Sequence, residues 1–216
     1  MYVGPDIVQN GLVAVFDAGS TRSYPGTGST WYNLIGTVNG ALSTTSIGTT
    51  TAGTMTFDGV DDSIDIPIAS LASTNFTVIG VTQRTNSAAG RLISAKNNNW
   101  LLGQWSTQMR QYYAEGWVTG AGAAGGGTTT DDLQTHIWCG TGDISGNAYR
   151  FRDDNVEYTT STTSGTAGPN GFSLGRYAIG SSEYGTGTIT VLLVYNRVLT
   201  DAEINQNFNA QKTRFL

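Results

Sequence analysis

Few residues in this chain are equipped for chemistry. His136 is the single histidine and Cys139 the single cysteine, both in the stretch Thr135-His-Ile-Trp-Cys139. A lone histidine beside Ile137 and Trp138 reads as a satisfied packing residue, because a metal site needs more nitrogen or sulfur ligands than the chain offers. Cys139 reads as a small buried hydrophobe. One cysteine rules out an internal disulfide framework and a Cys-based zinc site. Glycoside hydrolysis needs two carboxyls about 5–9 Å apart across the sugar. The only glutamates, Glu115, Glu157, Glu183 and Glu203, are scattered, and Glu203 is claimed by a helix cap. Asp61, Asp62, Asp153 and Asp154 keep a glycoside hydrolase as the third functional reading.

Other motifs match by letter and fail in context. Gly120-Ala-Gly-Ala-Ala-Gly125 has the spacing of a dinucleotide fingerprint, but more Gly and Thr follow it instead of an apolar helix. Gly171-Phe-Ser-Leu-Gly175 has the spacing of a nucleophile elbow, but the histidine lies upstream and a strand pattern follows. Asp58, Asp61, Asp62 and Asp65 form an acidic cluster. Calcium would want six to eight oxygens there, and turn chemistry, with each Asp capping its own backbone, accounts for the cluster more simply. Asp61 and Asp62 stand as the candidate cation ligands, and calcium is the one cofactor to consider. Asn75-Phe-Thr77 is a glycosylation sequon that opens a core strand. The aromatic candidates carry more weight. Trp100, Trp105, Tyr112, Tyr113, Trp117, Tyr177 and Tyr184 fall near predicted strand ends or loops, and flat rings with a polar tip stack on sugars and anchor interfaces.

The elements that must position these residues are strands. The chain has 216 residues, 29 of them glycine, with 16 acidic and 11 basic residues and a formal net charge of -5. That balance argues against nucleic acid, which demands a basic footprint. No run approaches the ~18 apolar residues of a membrane span. Five Trp, ten Tyr and seven Phe argue against disorder. Thr and Ser take the place of Lys and Glu, which suits pleated sheets. About a dozen short strands are predicted, among them Leu12–Phe16, Thr54–Phe57, Ser63–Ile66, Phe76–Thr82, Trp100–Gln104, Gln108–Tyr113, Thr135–Thr141, Phe172–Tyr177 and Thr188–Tyr195. Phe76-Thr-Val-Ile-Gly-Val81 is apolar on both faces, so it should be covered on both sides. Asp58-Gly59 is a hairpin-type signal. Gly120–Thr130 reads as a mobile loop. Thr200-Asp-Ala-Glu203 is a capping box opening one C-terminal helix. The reading is an N-terminal arm, residues 1–10, and a single all-β, two-sheet antiparallel jelly-roll sandwich over 11–216.

Three separated stretches resemble laminin-G-like, concanavalin A-like jelly rolls: Phe57-Asp-Gly-Val-Asp-Asp-Ser-Ile64, Ser173-Leu-Gly-Arg-Tyr177 and Val194-Tyr-Asn-Arg-Val-Leu-Thr-Asp-Ala-Glu-Ile204. The opening Gly11-Leu-Val-Ala-Val-Phe-Asp-Ala-Gly19 is similar to the start of such domains in tailed-phage structural proteins. These stretches are turns, core and a helix cap, so they imply fold and transfer no catalytic or calcium residue. With no export signal at the N-terminus, the resemblance implies a non-enzymatic virion protein, a capsid decoration or a tail or fibre component. It would be made in the host cytoplasm and work at the virion surface after release. Its expected partners are other virion proteins or its own copies, with host-surface glycans at the aromatic rim. A free carbohydrate-binding lectin is the runner-up.

Overall fold

The computed structural model describes residues 6–48, 53–120, 129–161 and 165–216. Met1–Pro5 of the arm and residues 121–128 of the glycine-rich stretch lie outside them. Among the described residues, sixteen strands precede one α-helix, with a single 3-10 turn at Thr45–Gly48: β1 (Leu12–Asp17), β2 (Thr30–Trp31), β3 (Gly40–Leu42), β4 (Met55–Asp58), β5 (Ile64–Ile66), β6 (Phe76–Arg84), β7 (Ile93–Ala95), β8 (Trp100–Trp105), β9 (Gln108–Ala114), β10 (Trp117–Thr119), β11 (Thr129–Thr130), β12 (Thr135–Asp143), β13 (Ala148–Asp153), β14 (Val156–Ser161), β15 (Phe172–Leu174), β16 (Thr186–Tyr195) and α1 (Asp201–Phe215). They form two antiparallel sheets. One runs β1-β16-β6-β12-β13-β14, with β4 also on β16, and the other runs β10-β9-β8-β7-β15-β5-β3-β2, with β11 on β9.

The main core lies between the sheets. Phe76, Val78, Leu192 and Val194 of the seven-stranded sheet meet Ile64, Ile93, Trp100, Leu102, Tyr112 and Phe172 of the nine-stranded one. A second apolar layer covers the other side of the seven-stranded sheet, where Ile79, Val81, Ile137, Val191 and Leu193 pack with Ile204 of α1. The double-sided apolar pattern of β6 therefore has its cause: both faces are buried, one by the partner sheet and one by the helix. Alternation in β16 does not place Ile189 with Val191 and Leu193, because the register shifts between Ile189 and Val191. The irregularity turns Ile189 into the main core.

Local chemistry sets the joints. Thr200 caps α1: its Oγ1 accepts from the Glu203 N–H, and the Glu203 carboxylate accepts from the Thr200 N–H at 2.9 Å. Asp154 and Asn155 turn from β13 to β14 with φ of 47° and 66°, the left-handed pair a two-residue hairpin requires. Asp58-Gly59 closes no hairpin. It carries the chain from β4 in one sheet to β5 in the other, and Val60 donates its N–H to Asp58 Oδ1 at 2.8 Å in the turn. Asp6–Asn10, the described part of the sequence-predicted arm, lies against α1. There Val8 N–H donates to Asn207 Oδ1 at 2.9 Å, and Tyr195 Oη donates to the Val8 carbonyl at 3.0 Å.

Candidate functional site

The helix covers one sheet, so the outer face of the nine-stranded sheet is the other broad surface. Antiparallel register lines up one outward row across it: Tyr113, Leu101, Ser94, Ser173, Asp65 and Ala41. At the Tyr113 end, β10 places Trp117 directly opposite Tyr113. Their rings meet edge to face with centroids 5.2 Å apart, and Trp105 also packs on Trp117, tilted and at 5.2 Å. All three rings are half-buried. They join residues from the end of β8, from β9 and from β10, so the sheet itself holds them.

Residues 175–185 fold back over the middle of this face. Gly175 N–H donates to the Leu92 carbonyl at 3.0 Å, Gly185 N–H to the Gly175 carbonyl at 2.9 Å, and Arg91 bridges to Tyr184. The segment delivers Glu183, which accepts from Trp105 Nε1 at 3.1 Å and pairs with Arg91 Nε. Arg91 also donates to Asn99 Oδ1 at 2.8 Å, and its guanidinium lies 4.2 Å from the Tyr177 ring centre. Beside it, Arg176 and Lys96 both reach Asp65 at 3.2 Å, and Ser173 Oγ donates to Asp65 Oδ1 at 2.7 Å. Burial of Asp65 disfavours its charge, but the bonds from Ser173 and Lys96 and the Arg176 charge win and hold its carboxyl below the ordinary range.

Four of the nine described non-glycine residues with left-handed φ lie at the rim. Ser106, Glu115, Ser181 and Glu183 have φ of 54°, 52°, 45° and 52°. These positions cost a non-glycine residue on the order of 1 kcal/mol each and concentrate at functional sites. Glu115 and Ser106 sit in the turns that end β9 and β8, next to Trp117 and Trp105.

The structure sorts the seven aromatic candidates. Trp105, Tyr113, Trp117, Tyr177 and Tyr184 gather on this one face, all half-buried. Trp100 and Tyr112 are corrected: both are fully buried in the main core. Trp100 meets Phe76, Tyr112 and Phe172 edge-on, at 6.1, 5.7 and 6.0 Å. Successive strand residues point to opposite faces, so Tyr112 must turn inward where Tyr113 turns outward. The cation candidates Asp61 and Asp62 do approach Asp58, with carboxylate oxygens within 4.8 Å of one another. Asp62 is spent on turn chemistry, accepting from the Asp58 N–H at 3.2 Å and from Thr44 Oγ1.

Sequence reasoning missed the surroundings of His136. Its Nδ1 lies 2.7 Å from Asp153 and 3.2 Å from Asp154, its Nε2 lies 2.9 Å from Asp132, and its ring stacks on Trp138 at 4.6 Å. Arg110 donates to Asp153 at 2.8 Å. Burial of His136 would lower its pKa, but the bonds to Asp153, Asp154 and Asp132 outweigh it and push the imidazole up to about 10. The residue is held as a cation. The broader clefts also lie elsewhere: about 450 Å³ beside Val13, Ile68 and Leu71, and about 490 Å³ beside Ile7, Leu34 and Arg214.

No protein-family model and no curated protein matches the chain. Solved structures do superpose on it. A Trypanosoma rangeli sialidase in complex with sialic acid matches with a TM-score of 0.68 at 17% identity, over 97% of this chain and 36% of the sialidase. Domain 4 of AbnA, an extracellular GH43 arabinanase from Geobacillus stearothermophilus, in complex with arabinotriose, matches at 0.55 and 17% identity, over 93% and 98% of the two chains. The binding domain of Botulinum neurotoxin DC in complex with SialylT matches at 0.60 and 10% identity, over 94% and 52%. The chain thus spans about a third of the length of the sialidases it resembles. The likeness shows a β-sandwich fold, in keeping with the concanavalin A-like expectation. It also corrects the expectation of a non-enzymatic protein, since the solved structures that share the fold include sialidases, which are enzymes.

Proposed function

We propose that this chain binds carbohydrate on the outer face of the nine-stranded sheet. The observation that carries the reading is the Trp105–Trp117–Tyr113 cluster, two indoles and a phenol held by three strands beside a hydrogen-bonding rim. Rigid aromatic faces supply contact area for a sugar ring at low entropic cost, and the neighbouring donors and acceptors fix its hydroxyls. Sialic acid, arabinotriose and SialylT in the structural neighbours support the same class of ligand. The resemblance of the opening stretch to tailed-phage domains supports a finer setting: a virion protein, docked on other virion subunits and released by lysis, that meets glycans on a host surface.

Glycan-array screening of the whole chain, followed by titration of tryptophan fluorescence with each hit, tests the reading. Binding that perturbs the emission is expected. An array with no hit, or hits unchanged when both Trp105 and Trp117 are replaced by Ala, would refute it. Chromatography of each bound oligosaccharide after incubation shows at once whether binding is accompanied by cleavage.

A further inference from the structure

The charges on this face decide which glycans it takes, given that the face binds glycans at all. We infer that the preferred ligand is a neutral oligosaccharide and that acidic sugars are disfavoured, even though sialic acid occupies structural neighbours. Three cations stand here among the described residues, and each is already committed. Arg91 is 5% exposed at its side chain and is held by Glu183, Asn99 and the Tyr177 ring. Arg176 and Lys96 share Asp65.

At the aromatic cluster the cation within reach is Arg91, and a sugar carboxylate would have to draw it away from its partners. For Arg91, whose own side chain is 5% exposed, that breaks the bond to Glu183 and leaves the Glu183 carboxylate beside Trp105 without its counter-charge. Glu183 is 36% exposed at its side chain and Glu115 is exposed at the same rim, so an incoming anion also meets two carboxylates. A neutral ring faces neither cost. It gains the stacking surface of Trp105 and Trp117, while its hydroxyls use the lone pairs that the carboxylates keep.

The test is calorimetric titration of the whole chain with arabinotriose, lactose, xylotriose, sialyllactose and trigalacturonate at low and at high sodium chloride. At least one neutral probe is expected to bind, with an affinity that changes less than about twofold with salt, since stacking carries no net charge to screen. Sialyllactose is expected to bind about tenfold weaker than the best neutral probe. Acidic probes that bind more tightly than neutral ones and weaken steeply with salt would overturn the inference and leave the glycan reading standing. No binding by any probe would remove both. Glu183→Gln sharpens the result: relieving Arg91 of its counter-charge is expected to move the acidic-to-neutral ratio about tenfold toward the acidic probes, and an unmoved ratio would overturn the role given to that pair.

Discussion

The two outer faces of this sandwich are finished by opposite means. The seven-stranded sheet is closed by its own chain: Ile79, Val81, Ile137, Val191 and Leu193 meet α1 and Val8 in an apolar layer. Among the described residues, the short 175–185 segment crosses the nine-stranded sheet, and its side-chain contacts there include Arg91, Ser94 and Trp105. An apolar layer gives stability without direction. A face of paired charges and half-buried rings gives little stability for its area but presents oriented groups to a ligand. The contrast separates a surface that holds the fold from one that recognises something, and substitutions can break it from either side.

The largest effect belongs to the helix-covered face. Leu193→Ala removes a side chain that is 1% exposed in that layer and is expected to cost about 3 kcal/mol in denaturant unfolding. Glycan affinity should stay unchanged, because the layer lies on the far side of the sheet pair. A loss of binding at full stability would show that the two faces are coupled. Next comes the start of β12, which is held by charge. The folded-state pKa of His136, about 10, lies above the unfolded value near 6.5. Its contribution is therefore complete below pH 6.5 and lost as pH rises through 10. Asp132 and Asp154 are 49% and 32% exposed, so solvent screening reduces the contribution to about 2 kcal/mol. Unfolding curves from pH 6 to 10 should show this decline in the native chain and a flatter limb in His136→Gln.

How much of this was legible in the sequence follows from the same contrast. In β6, apolar residues at both parities announce burial on both faces, and the structure has them so. In β16, plain alternation would set Ile189 beside Val191, and the register shift that separates them leaves no trace in the spacing of residues. Val156-Glu-Tyr-Thr-Thr-Ser161 gives no strand signal in the sequence, since Val156, Glu157 and Tyr158 are all exposed and set up no apolar alternation. At the site, residue type was readable and placement only in part. Alternation alone separates Tyr112 from Tyr113, and Trp100 from Trp105 five positions on, yet it cannot say which member of each pair faces the core. The Arg91–Glu183 pair joins residues 92 apart in the chain, and no local pattern reports such a contact. His136 looked solitary for the same reason: Asp153 and Asp154 reach it only through the pairing of β12 with β13.

On the open face the effect should fall on binding. Trp117 touches both Trp105 and Tyr113, so Trp117→Ala removes the centre of the cluster. Affinity for the best glycan is expected to fall at least about tenfold, or about 1.4 kcal/mol. The ring is half-buried at a sheet edge, so the loss in Tm should be smaller than that of Leu193→Ala. A variant that binds normally would move the site off this cluster.

The smallest effect tests whether the helix is held by its packing or by its cap. Thr200→Ala removes the acceptor of the Glu203 N–H and is expected to cost about 1 kcal/mol, less than Leu193→Ala because the apolar layer beneath α1 remains. The cap should also be visible in acid. Arg197, then the Thr200 N–H, hold the Glu203 carboxyl at about 2, below its ordinary 4.5. Its contribution is present above pH 4.5 and lost as pH falls through 2. In Thr200→Ala the pair with Arg197, at 2.6 Å, persists, so most of that acid dependence should survive. If Thr200→Ala instead abolished it, the cap and the ion pair would be one cooperative unit, and the helix would owe its seat on the sheet to its first turn as well as to Ile204.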